Sequence, residues 1–135
     1  MAKSARKRSA PLVLIVDDYE DTRVLSVEIL GRAGLRVAEA ATGTAALEKA
    51  TELLPEVILM DLALPEIDGW EVIRRLKQDP RTRECRILAH TAHAVEALLR
   101  RAEEAGCDAI LTKPCKAVDL VDAVRNLMPG PAPAN

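Results

Sequence analysis

Five times along this chain an apolar run of strand length is followed by a stretch with helical spacing, and that alternation restricts the fold more than any other feature. The runs are Leu12 to Val16, Leu35 to Ala40, Glu56 to Met60, Arg86 to His90 and Asp108 to Leu111. Tyr19 to Ala33 carries Val24, Val27, Ile29 and Leu30 at helical spacing, with Gly34 as a stop. A helix bearing Ala45, Ala46, Leu47 and Ala50 begins at a Thr42 or Thr44 cap and ends before Pro55. Asp68 is expected to cap a helix with Trp70, Val72, Ile73 and Leu76, which Asp79-Pro80 breaks. Ala92 to Ala105 is closed by Gly106, and Lys116 to Met128 gathers Val118, Leu120, Val121, Val124 and Leu127 on one side. Strands that alternate with helices pair in parallel through right-handed crossovers. Helices then cover both sheet faces, which explains strands that are apolar almost throughout. The fold class is α/β: a doubly wound (βα)5 domain with a five-stranded parallel sheet and the Glu56 to Met60 run near its centre.

With 135 residues, 49% of them hydrophobic, the chain can bury one substantial core. Because it has no Phe, one Trp and one Tyr, that core must be built from Leu, Val, Ile and Ala. The predicted domain covers 11–128. Residues 1–10 read as a flexible basic tail and 129–135 as a flexible Pro/Ala tail. A net charge of −2 gives no strong pull toward nucleic acid or membrane. No apolar stretch approaches the ~18 residues of a membrane span. Cys85, Cys107 and Cys115 are odd in number and show no CxxC spacing. That excludes a disulfide framework and a zinc site as expectations and fits a reducing cytoplasm.

Chemistry collects at the strand exits. The first run ends in Asp17-Asp18, the third in Asp61, the fourth in Thr91 and the fifth in Thr112-Lys113-Pro114. Open α/β sheets bind ligands at the carboxyl ends of their strands. Clustered carboxylates raise one another's pKa unless a cation sits among them. All-oxygen ligation suits a hard ion, and Mg²⁺ is bound by one or two carboxylates with water. Asp61 can serve as a ligand or as a nucleophile that forms an aspartyl phosphate. Lys113 can offset phosphoryl charge and Thr91 can donate a hydroxyl. Each has a plainer role: Asp17 or Asp18 as a helix cap, Thr91 as a cap, Lys113 in solvent. Their joint placement favours one shared site.

This set closely resembles the receiver domain of two-component response regulators, from about Leu12 to Met128. The resemblance rests on Asp17-Asp18, Asp61 within Asp-Leu-Ala-Leu-Pro-Glu-Ile-Asp-Gly, Thr91-Ala92 and Lys113-Pro114. It implies a flavodoxin-like sheet of order 2-1-3-4-5. It also implies that Asp61 accepts a phosphoryl group from a histidine kinase or histidine phosphotransfer protein. Mg²⁺ would be held by Asp17, Asp18, Asp61 and the backbone carbonyl of Ala63, with Thr91 and Lys113 on the phosphoryl oxygens. Signal would leave by protein–protein contact through the fourth helix, fifth strand and fifth helix, as in a stand-alone regulator. The chain departs from the family at Ile110, where an aromatic is common, at Cys115, where another is common, and at His90, where an aliphatic residue is usual. Ala63 and His93 flank the site, and only His93 has a side chain able to contact a hydrolytic water. Two rivals follow. One is a receiver-like scaffold that is never phosphorylated, favoured by Ile110 and opposed by the complete acidic set. The other is an aspartyl-phosphate phosphohydrolase, opposed by Ala63 and the short chain. A flavin site is disfavoured because the loop after Val16 is acidic.

Overall fold

A computed structural model of the chain describes residues 10–92 and 96–129. Its strands are β1 (Leu12–Val16), β2 (Arg36–Ala40), β3 (Val57–Met60), β4 (Arg86–Thr91) and β5 (Ala109–Thr112). Its helices are α1 (Glu20–Arg32), α2 (Gly43–Leu53), α3 (Gly69–Gln78), α4 (Glu96–Ala105) and α5 (Ala117–Leu127). All pairings are parallel, and the sheet order is β2-β1-β3-β4-β5. The doubly wound fold and the central place of β3 are therefore as expected.

Successive strand residues point to opposite faces, so an apolar strand feeds two cores at once. On one face Val13, Ile15, Val57, Leu59 and Leu88 pack with Leu30 of α1 and Leu120 and Val124 of α5. On the other, Leu14, Val16, Ile58, Met60 and Ile87 pack with Ala46 and Ala50 of α2 and with α3 and α4. The register Val13↔Val57, Ile15↔Leu59 keeps each set on its own side. Ile110 joins the α2–α4 side as a half-buried residue.

Local signals held in most places. The Thr42 hydroxyl accepts the Ala45 N–H at 3.1 Å, so Thr42 and not Thr44 starts α2. Gly34 and Gly106 adopt φ +92° and +111° just past α1 and α4, a backbone region that lacks a Cβ clash only for glycine. Asp68 occupies the cap position of α3, but its side chain makes no cap bond. Its backbone carbonyl accepts the N–H groups of Glu71 and Val72 at 3.0 and 3.1 Å instead. Val24 and Val118 are exposed, contrary to their places in the apolar patterns, because α1 turns Ser26 and Leu30 to the sheet and α5 turns Leu120 and Val124. Trp70 is half-buried outside both cores, with the Arg101 guanidinium 5.3 Å from its ring centroid. Among the described residues no helix is long and apolar enough to cross a membrane.

Candidate functional site

Parallel pairing puts every strand's carboxyl end on one edge, and the order β1-β3-β4-β5 makes the exits of those four strands neighbours. Backbone bonds fix each exit. The Asp17 N–H donates to Ala40 O (3.1 Å), Asp61 N–H to Val16 O (3.0 Å) and Lys113 N–H to Thr91 O (2.8 Å). Asp17, Asp61 and Thr91 are buried, while Asp18 is exposed at the mouth. Carboxylate oxygens of Asp17, Asp18 and Asp61 all lie within 4.8 Å of one another, an all-oxygen donor set suited to a hard divalent cation.

The Lys113 ammonium sits against two of these acids, 2.7 Å from Asp17 Oδ2 and 3.3 Å from Asp61 Oδ2. The Lys113-Pro114 peptide is cis. Burial lowers the lysine's pKa, but the bond to Asp17 and the charges of both acids outweigh it, and the group sits above its usual value. The two carboxylates then part ways. Burial pushes Asp17 up, yet Lys113, the Thr22 hydroxyl and the Tyr19 amide together hold it below the ordinary carboxylate range. Burial pushes Asp61 up as well, and the Ala63 amide and Lys113 do not fully offset it. The difference follows from donors. Asp17 accepts Thr22 Oγ1–H at 2.6 Å and Tyr19 N–H at 2.9 Å besides the short lysine bond. Asp61 accepts the Ala63 N–H at 2.9 Å and a longer lysine contact. Asp61 is thus the less encumbered, more basic carboxylate.

Thr22 and Arg23 were not foreseen as site residues. Arg23 Nη1 donates to the Asp17 carbonyl at 2.8 Å while its Nε pairs with Glu39 on β2 at 3.0 Å. One side chain therefore ties the exit of β1 to β2. The signal available was positional: a hydroxyl and a cation in the first turn of α1 can reach back to the acid before it. Neither Asp17 nor Asp18 caps α1: Tyr19 holds the cap position without a side-chain cap bond, and Asp17 accepts the Tyr19 N–H ahead of the helix. Gly69 is the other omission. A Cβ there would lie 2.2 Å from Asp61 O and 2.6 Å from Leu62 Cα, so only glycine lets α3 start against the acid-bearing turn. His93 lies outside the described residues.

His90 is 8% exposed at the end of β4, with Nε2 3.6 Å from Cys115 Sγ. Burial, and then the Lys113 charge, press its pKa down to about 4, so the imidazole is neutral at pH 7. A depressed histidine pKa contributes stability that is present above the unfolded value and lost as pH falls toward the folded one. Between pH 6.5 and 4 the protein should lose about 3 kcal/mol more stability than His90→Leu. Urea unfolding of both proteins across that window measures the difference, and parallel pH profiles would remove the explanation.

A sheet of this order with acids, a threonine and a lysine at its carboxyl edge defines a doubly wound domain equipped to hold a divalent cation and a phosphoryl group. The chain belongs to the response regulator receiver domain family, whose model matches residues 13–125. It is 32% identical over 116 residues to the polar-differentiation response regulator DivK of Brucella ovis, covering 86% of this chain and 94% of that one. Among solved structures it resembles a CheY-like response regulator receiver domain protein from Methanospirillum hungatei (TM-score 0.83, 26% identity, 87% of this chain and 93% of that chain). It also resembles the receiver domain of the sensor histidine kinase PA1611 from Pseudomonas aeruginosa (TM-score 0.82, 28% identity, 87% and 97% coverage). The latter structure holds a magnesium ion in its active site cleft.

Proposed function

We propose that this receiver domain takes a phosphoryl group onto Asp61 from a phosphohistidine of a histidine kinase or phosphotransfer protein, in a Mg²⁺-dependent reaction, and passes the signal on by protein–protein contact. The observation that carries this reading is the meeting of three carboxylates within 4.8 Å beside a lysine ammonium. In the reaction an Asp61 oxygen forms the new P–O bond as the P–N bond to the donor imidazole breaks, and the imidazole leaves with its ring nitrogen pair. Mg²⁺, held by Asp17, Asp18, Asp61 and the Ala63 carbonyl, would supply charge neutralisation for the incoming phosphoryl oxygens. Asp61 suits the nucleophile because its carboxylate is the more basic of the two buried acids. Lys113 balances negative charge that grows on the transferred group, and Thr91 offers its hydroxyl from a fully buried position. The working partner surface is the one formed by α4, β5 and α5, and the working compartment is the cytoplasm.

Incubation with a small acyl phosphate tests the reading without knowledge of the partner. Mg²⁺ should permit a mass gain of one phosphoryl group, and a chelator should remove it. Equal labelling with and without the metal would refute the metal-dependent site.

A further inference from the structure

We infer that the cavity between α1, the end of β4 and the β5–α5 turn is an effector site for a small, neutral, largely apolar molecule with one hydrogen-bonding group, of the phenol or indole class. The cavity measures ≈ 330 Å³, a size that accepts small organic ligands. Leu25 and Ile29 of α1, Leu120 of α5 and Pro114 give it apolar walls. Cys115, a small side chain, lines it beside Pro114.

Two observations define what fits. His90 is more than nine-tenths buried and lines the cavity, and its Nε2 has a thiol 3.6 Å away as its polar neighbour. A thiol is a weak hydrogen-bond partner, so an O–H or indole N–H would satisfy the ring nitrogen better. Charge is excluded from both sides. A cation would face Lys113, whereas an anion would find that ammonium already engaged by Asp17 and Asp61 and the imidazole uncharged. Neutral ligands remain.

The effector role follows from two further wall residues, Thr22 and Lys113. Both donate to Asp17 Oδ2, at 2.6 and 2.7 Å, so an occupant touches the groups that hold this acid in place. This part rests on the proposed phosphoryl transfer to Asp61, whereas binding does not.

Indole is the probe, titrated into the full chain and followed by ligand-observed and amide-resolved NMR. The expected result is saturable binding with shifts centred on His90 and Cys115, retained in Asp61→Asn and in Cys115→Ala. His90→Leu, which removes the ring nitrogen, and Cys115→Phe, which fills the space, should each weaken it by about tenfold or more. Saturating indole should change the rate of labelling by acyl phosphate about fivefold in the wild type. No saturable binding, or binding indifferent to His90→Leu, overturns the site. Binding with an unchanged labelling rate overturns the effector role. A wild type that binds indole but is never labelled sinks the phosphoacceptor reading and leaves the cavity site standing.

Discussion

Asp61→Asn should bring phosphate incorporation down to background while the chain stays folded. The amide keeps the shape of the carboxylate and can still accept the Ala63 N–H that the aspartate receives at 2.9 Å. It has no anionic oxygen to attack phosphorus. Neither remaining acid is an equal substitute. Asp17 is spoken for by Lys113, Thr22 and the Tyr19 amide, which lower its basicity. Asp18 is exposed at the mouth. The fold should tolerate the change because the native charge is itself unfavourable there. Burial raises the Asp61 pKa, and a raised carboxyl contributes stability only while protonated, losing it as pH rises through the folded pKa. At neutral pH in metal-free buffer Asp61→Asn should therefore melt no lower than the wild type. Mass spectrometry after acyl phosphate treatment reads the first effect and calorimetry the second. Labelling of the variant at the wild-type level would move the acceptor elsewhere.

The architecture was readable because each strand carries its own instruction. Val13 and Ile15 face one core while Leu14 and Val16 face the other, so an uninterrupted apolar run means two covered faces and hence parallel crossovers. The acids were readable for a related reason: a carboxylate that ends such a run has one place to go, the carboxyl edge. The contacts that make the site work were harder to see, because they join residues far apart in the chain. Lys113 and Asp17 are 96 positions apart, and Cys115 meets His90 across 25. Such meetings depend on strand order, which came from a family resemblance and not from periodicity. The failures were local. Val24 fits a helical stripe but faces solvent, since spacing alone does not say which stripe meets the sheet. Asp68 has a capping residue's identity without its side-chain bond, because the backbone carbonyl takes that part. Departures from family pattern proved informative where they change volume. Ile110 packs half-buried against the α2–α4 core, whereas Cys115 is one of the residues lining a cavity beside the site.

Lys113→Ala should cost about 3 kcal/mol of stability in metal-free buffer and should respond to Mg²⁺ more strongly than the wild type. The ammonium is the one cation that bonds to both Asp17 and Asp61 among the described residues, and its side chain is 14% exposed. Removing it leaves two buried carboxylates side by side. Asp17 keeps the donors Thr22 and Tyr19, while Asp61 keeps the Ala63 amide, so most of the loss falls on Asp61. The folded pKa of Lys113 is raised, so its contribution is fully present below the ordinary lysine pKa of 10.5 and is lost as pH rises through the folded value. The deficit should therefore persist through neutral pH. It should shrink on acidification, when Asp61, the carboxyl with the raised pKa, takes its proton first. A divalent cation that binds the folded cluster supplies the missing positive charge and meets no resident ammonium, so added Mg²⁺ should bring the variant's urea midpoint back toward the wild type. Under the proposed function, Lys113, just past β5, is the group that would sense phosphoryl charge, so in the variant phosphorylation should occur without its gain in partner affinity. Equal metal-free stabilities, or identical Mg²⁺ responses, would show that the lysine is a bystander in the pocket and that the acids tolerate one another unaided.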